Sequence, residues 1–316
     1  MSLALVFPGQ GAQTIGMGRA LADSSPAARA VFQEVDDALG EALSALVWEG
    51  DIAELTLTAN AQPALMATSM ATLRALEAEG FDIRQAAFVA GHSLGEYSAL
   101  AAAGALSLGD TARLLRIRGR AMQEAVPVGQ GAMAALLGLD FGSASEIAAE
   151  AAQGQICQAA NDNDPAQVVV SGDKAAVERA VELAKARGAR RAVLLPVSAP
   201  FHCALMQPAA DAMAAALADV AVKAPAVPLV ANVRAEAVSD PDTIRRLLVE
   251  QVTGSVRWRE SMVWMTGQGV TRFWEVGAGK ALSGMIKRVA KGAETRAIAS
   301  PEDVAGAMDS LTGDSA

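Results

Sequence analysis

The sequence predicts an α/β fold: a large α/β domain with a mostly parallel sheet, and a small ferredoxin-like α+β domain inserted into it. Three observations predict it. Short apolar runs alternate with longer helical patterns along the chain. Two of these runs end in Gly-rich loops. The middle of the chain also has a β-α-β-β-α-β rhythm of its own, the order of the split βαβ unit.

In the large domain, Leu3–Phe7 reads as a strand ending at Pro8-Gly9-Gln10-Gly11. Ala86–Ala90 reads as a strand entering Gly91-His92-Ser93-Leu94-Gly95, and the Ala- and Leu-rich Leu94–Ala103 as the helix after it. Val227–Ala231 and Arg272–Val276 are further buried-strand candidates. In the small domain, Ala132–Leu137 reads as a strand and Ser143–Ala152 as a helix. Ile156–Ala160 and Gln167–Val170 read as two strands around a turn at Asn161-Asp162-Asn163-Asp164-Pro165. Asp173–Arg187 is an amphipathic helix stopped by Gly188, and Arg191–Leu195 a last strand ended by Pro196. The expected boundaries are residues 1–127 and 198–316 for the large domain and 128–197 for the inserted one. A cleft between two such domains is a common ligand site.

The 316 residues are 52% apolar and 19% charged, which excludes a disordered chain. The net charge of −9 argues against non-specific nucleic-acid binding, which needs a basic footprint. The two cysteines, Cys157 and Cys203, have neither zinc spacing nor a disulfide framework, as in a reduced compartment. The N-terminus lacks a basic signal-peptide region. The longest charge-free stretches, Leu55–Leu73 and Ala192–Ala210, are broken by polar residues and prolines. A soluble cytoplasmic protein without membrane contact is expected.

Gly91-His92-Ser93-Leu94-Gly95 fits G-x-S-x-G between a strand and a helix, the context of a nucleophile elbow, and makes the large domain α/β-hydrolase-like. Such a turn exposes the Ser93 hydroxyl and aims the Leu94 amide at a developing oxyanion. A plain Gly-rich turn with a capping serine fits the five residues as well. A serine nucleophile needs a base, and the chain has only two histidines. His92 neighbours Ser93, and side chains diverge in an elbow, so His92 packs under the turn. His202, in the loop Ser198-Ala199-Pro200-Phe201-His202, is left as the base.

The chain resembles the malonyl-CoA:acyl carrier protein transacylases over nearly its whole length. The resemblance rests on seven ordered blocks. They are Phe7-Pro8-Gly9-Gln10-Gly11, Gln62-Pro63-Ala64, Gly91-His92-Ser93-Leu94-Gly95-Glu96, and Arg118-Gly119-Arg120-Ala121-Met122-Gln123. The others are Ala160-Asn161 with Asn163, Pro200-Phe201-His202, and Glu275-Val276-Gly277. The resemblance implies a Ser93–His202 dyad whose histidine is oriented by the backbone carbonyl of Gln251, in place of a triad aspartate. It implies that the Gln10 amide joins that of Leu94 in the oxyanion hole, and that Asn163 belongs to the substrate site.

It also singles out Arg118 among the helical arginines Arg113, Arg116, Arg118 and Arg120 as the grip on the malonyl carboxylate; a guanidinium can hold a carboxylate through two parallel bonds. Phe201 should leave little room for an α-methyl branch, although some family members carry serine there.

The implied reaction moves malonyl from malonyl-CoA to the thiol of acyl carrier protein through a malonyl-serine, for fatty acid synthesis. Arg190-Arg191 and Lys287-Arg288 with Lys291 are candidate contacts for an acidic carrier, and a monomer is expected. Gly277-Ala278-Gly279 lacks the third glycine of a dinucleotide loop, and no residue cluster suggests a metal, so neither cofactor nor metal is expected. The alternatives are an acyltransferase serving a polyketide carrier, a serine hydrolase, and a non-catalytic scaffold that binds the carrier.

Overall fold

A computed structural model describes residues 2–197 and 199–313. Ser198, at the expected boundary and at the head of the His202 loop, lies outside the described residues. The α/β architecture is as expected. Ten strands form two sheets: β1 (Ser2–Phe7), β2 (Ala86–Gly91), β3 (Gly131–Leu137), β4 (Cys157–Asp164), β5 (Gln167–Asp173), β6 (Arg191–Leu194), β7 (Leu229–Val230), β8 (Ala237–Val238), β9 (Val270–Val276) and β10 (Glu294–Ile298).

The large sheet has the order β10-β9-β1-β2-β7-β8 and is parallel except for β8. Its centre, β1, is apolar on both faces, as a strand covered on both sides must be. Leu3, Leu5 and Phe7 join the larger core, while Ala4 and Val6 pack with Trp258, Met262 and Phe273 beneath the sheet. Chain order reverses at β1, with β2 on one side and β9 on the other. Ligand sites form at such switch points, beyond the C-terminal ends of the strands. Phe7 pairs with Gly91 there, so the Pro8–Gly11 loop and the elbow leave the sheet side by side.

The second sheet, β4-β5-β3-β6, is antiparallel, with helices Phe141–Ala152 and Lys174–Ala186 packed on one face. Strand alternation divides its residues. Ala134, Leu136, Val168 and Val170 point into the helices' core, whereas Met133, Ala135, Gln167 and Val169 face a cavity shared with the large sheet.

The sequence reading fails at β4. The polar run Asn161–Asp164 continues the strand, and the turn is confined to Pro165-Ala166. The run has turn-type chemistry, but each of its four residues is buried. Backbone bonds from Asp162 to Val256 and from Val256 to Ala160 (2.9 and 2.8 Å) fasten the strand to the large domain. Asp162 meets Arg259 at 3.0 and 2.8 Å, and Asp164 meets Arg288 at 2.6 Å. A register shift between Ala159 and Asn161 bulges the strand and re-aims it. Ala159 points into the small core, and Asn161 and Asn163 line the cavity. The Val227–Ala231 expectation shrinks to the two-residue β7.

Helices that the sequence reading did not assign cover the large sheet. The longest, Thr58–Ala78, is buried along most of its length and packs against Leu108–Glu124. Gly119 makes that approach possible: a Cβ there would lie 2.6 Å from Thr58 O and from Ala59 Cα. Among the described residues no helix is long and apolar enough to cross a membrane.

The elbow is equally tight. A Cβ at Gly95 would stand 2.2 Å from Phe7 O, and one at Gly91 would stand 1.9 Å from the Gly95 carbonyl. Gly95→Ala should therefore cost about 1–3 kcal/mol or more, the range for overpacking. Urea unfolding reads this directly, and an unchanged midpoint would mean that the β1 loop yields without cost.

Candidate active site

A cavity of ≈ 500 Å³ lies between the two sheets, and every site residue expected from the sequence except Gln251 lines it: Gln10, Ser93, Leu94, Arg118, Asn163, Phe201 and His202. Gln251 is fully buried behind the wall.

Ser93 sits in the left-handed region at φ 55, an uncommon conformation for a residue with a side chain. Neighbouring groups hold it there. Its N–H donates to Asn232 Oδ1 at 2.8 Å, and Asn232 Nδ2 donates to Gly91 O at 2.7 Å. Its carbonyl accepts from Gln251 Nε2 at 2.9 Å. Strain maintained by surrounding bonds is common at functional sites.

Ser93 Oγ lies 2.7 Å from His202 Nε2. On the far side of the ring, Nδ1 is 2.9 Å from Gln251 O. A carbonyl can only accept, so Nδ1 carries the proton and Nε2 is free to receive one from Ser93. Gln251 belongs to the last turn of helix Pro241–Thr253, where carbonyls lack helical partners. Helix termination thus supplies the orienting acceptor. His202, also left-handed at φ 59, is 4% exposed. Burial first, then the Arg118 charge, lowers its pKa from 6.5 to about 3, against the raising effect of the Gln251 bond.

His92 does not reach Ser93 Oγ. Its Nε2 pairs with Asn163 Oδ1 at 2.9 Å, its ring packs near Trp258, and burial lowers its pKa. Asn163 therefore braces the ring under the elbow from the small domain. The Gln10 and Leu94 amides have no protein acceptor among the described residues, and both residues border the cavity. The Gln10 side chain donates to Thr58 at 3.2 Å.

Arg118 is 1% exposed. Its guanidinium donates to Gln62 Oε1 at 2.8 Å, Gln251 Oε1 at 2.9 Å and Ser93 Oγ at 3.1 Å, and it lies over the Tyr97 ring. Among the described residues no carboxylate reaches ion-pair distance of it. Arg116, on the same helix, instead binds Glu41, Asn60 and Ala59 O. Gln62, Asn232, Glu96 and the Gln251 side chain received no role from the sequence reading. Gln62 and Glu96 lay inside the matching blocks, but Asn232 carried no local signal. Among the described residues no group of three His, Cys, Asp or Glu side chains could hold a metal.

Residues 4–312 match the acyl transferase domain family. The malonyl CoA-acyl carrier protein transacylase of Bacillus subtilis is 46% identical over 98% of this chain and 97% of its own length. The crystal structure of an acyl-carrier-protein-S-malonyltransferase from Bartonella henselae superposes with a TM-score of 0.97 at 56% identity, covering 99% of this chain and 100% of that one. A malonyl-transacylase solved in complex with a type II polyketide synthase acyl carrier protein superposes at 0.95 with 43% identity, covering 98% and 100%.

Both histidines have lowered pKa values in the folded chain. Protonation in the unfolded chain alone below about pH 6.5 must then reduce stability as the pH falls through that value. With only two histidines, selective isotope labelling gives two imidazole signals. The His202 signal should keep neutral-form shifts from pH 7.5 to about 5.5, and the His92 signal should titrate below the free-imidazole value; a His202 signal titrating near 6.5 would contradict this environment.

Proposed function

The chain belongs to the acyl transferase family, and on that premise we propose how its residues carry the reaction. It is an enzyme that transfers malonyl from malonyl-CoA to acyl carrier protein, a step of fatty acid biosynthesis. The observation that supports our assignment of residues is a buried guanidinium without a carboxylate partner among the described residues, 3.1 Å from the hydroxyl of a serine–histidine pair.

Ser93 Oγ attacks the thioester carbonyl of malonyl-CoA as its proton passes to His202 Nε2. The carbonyl electrons move onto oxygen, where the Leu94 and Gln10 amides stabilise them; losing one such donor typically costs on the order of 10²–10³ in rate. The intermediate collapses, the C–S bond breaks, and His202 returns its proton to the CoA sulfur. Malonyl remains as an ester on Ser93, with its carboxylate on Arg118.

The carrier's phosphopantetheine thiol then gives its proton to His202 and attacks the ester carbonyl. Collapse expels Ser93 Oγ, which recovers the proton. The cycle is ping-pong. Gln251 O stabilises the transient imidazolium, and Phe201, on the cavity wall, leaves little room for an α-methyl branch.

The unit at 128–197 acts as an inserted domain that closes the cavity over the elbow. Arg190, Arg191, Lys287 and Lys291 are exposed and suit an acidic carrier, whereas Arg288 is engaged by Asp164. The protein works as a cytoplasmic monomer. A polyketide carrier is a second reading, favoured by the likeness to a transacylase bound to one.

Intact-mass analysis after incubation with malonyl-CoA should reveal a malonyl adduct that is absent from Ser93→Ala; an adduct that persists there would displace Ser93 as nucleophile. Arg118→Ala should slow malonyl loading by about two orders of magnitude or more, the scale of truncating one side of a buried charge pair. Equal malonyl loading in that variant would remove the clamp.

A further inference from the structure

One buried acid near the reacting groups has no part in the proton transfers. Glu96 stands three residues after Ser93, in the first turn of helix Gly95–Ala102, and is 1% exposed. Its Oε2 accepts from Gln251 Nε2 at 2.6 Å and from the Asn232 N–H at 3.3 Å. Its Oε1 has no partner among the described residues. A buried carboxyl is costly to maintain, so one left half-satisfied beside a reacting serine calls for a reason.

The Gln251 amide indicates that reason. Its Nε2 faces three acceptors, Glu96 Oε2 at 2.6 Å, Ser93 O at 2.9 Å and Asn232 Oδ1 at 3.5 Å, while its Oε1 faces one donor, Arg118 Nη2. An amide has two ends of opposite hydrogen-bonding character. Turning it over would set Oε1 against three oxygens and the NH₂ group against a guanidinium, which loses every bond. Glu96 Oε2 is the nearest of these acceptors, so it contributes most directly to holding that one orientation of Gln251. That orientation in turn presents an oxygen to Arg118 and helps aim the guanidinium at the space beside Ser93 Oγ.

We propose that Glu96 is a positioning residue for substrate selection, acting through the Gln251 amide to hold Arg118 where the acyl carboxylate must bind. The proposal rests on the reading of Arg118 as the carboxylate clamp. Its consequence is selective: an acyl group without a carboxylate does not use Arg118 and should be indifferent to Glu96.

Single-turnover loading of Ser93 from malonyl-CoA and from acetyl-CoA, followed by intact mass, tests it. Glu96→Ala and Gln251→Met should each lower the malonyl-to-acetyl loading ratio by about tenfold, the scale of one hydrogen bond to a charged group. Glu96→Gln, whose amide oxygen can still accept from Gln251, should stay within about threefold of wild type. The double variant Glu96→Ala/Gln251→Met should be no worse than either single one, because both act through one contact. Parallel loss of malonyl and acetyl loading, additive losses in the double variant, or a Glu96→Gln ratio as low as that of Glu96→Ala would each overturn the proposal.

If Glu96→Ala fails to fold, Gln251→Met and Glu96→Gln still decide: an unchanged ratio in the first, or a collapsed ratio in the second, refutes it. Failure of the underlying reading looks different, since Arg118→Ala would then leave the wild-type ratio intact.

Discussion

A tight backbone approach governs the rest: the elbow helix begins against the end of β1, with Gly95 under the Phe7 carbonyl and Gly91 under Gly95. No side chain fits at either position, so the two loops that leave adjacent strands are held in contact. That contact sets the Gln10 and Leu94 amides on one wall and turns Ser93 into the left-handed region between them. The turn does not hold itself. Asn232 and Gln251, from distant segments, occupy both backbone polar groups of Ser93, which makes the geometry of that serine a property of the whole large domain.

Electrostatics follow from the same burial. The dyad has a neutral carbonyl where a triad has a carboxylate, and a cation stands close by. Desolvation first and then that cation keep His202 neutral in the free protein, against the raising effect of the Gln251 bond. Glu96, pushed up to about 7 chiefly by burial, is separated from Arg118 by the Gln251 amide, so it balances the guanidinium without occupying its binding edge. The small domain is held in register by two carboxylates on one strand, Asp162 and Asp164, each paired with an arginine of the large domain.

Much of this was legible in the sequence because local chemistry demanded it. The strand–elbow–helix pattern located Ser93, and the scarcity of histidines pointed to His202, which stands 2.7 Å from its hydroxyl. The β-α-β-β-α-β order yielded the small sheet. The illegible parts are those in which distant residues decide. Asn161–Asp164 has the composition of a turn, yet Arg259, Arg288 and Val256 make it a buried strand. Asn232 lies in an unremarkable loop, and only the fold brings it under Ser93. The Gln251 carbonyl came from resemblance, since nothing about a helix's last turn announces which carbonyl an imidazole will use.

On the roles proposed for Arg118 and His202, the arrangement also accounts for why a carboxylate-bearing acyl group would suit this site better than a neutral one. In the free protein Arg118 lowers the basicity of His202, so protonating the imidazole during attack by Ser93 opposes a nearby positive charge. A carboxylate bound on Arg118 offsets that charge just where the proton arrives. The effect is strong between buried groups such as Arg118 and His202, where charges are poorly screened. An acetyl group leaves the guanidinium uncompensated and gains nothing from it. Selection for malonyl then enters through the proton-transfer step as well as through binding, and a carbonyl orienter serves this purpose better than an aspartate. A permanent anion behind His202 would raise its basicity for every substrate, whereas a carbonyl leaves that task to the substrate's own charge.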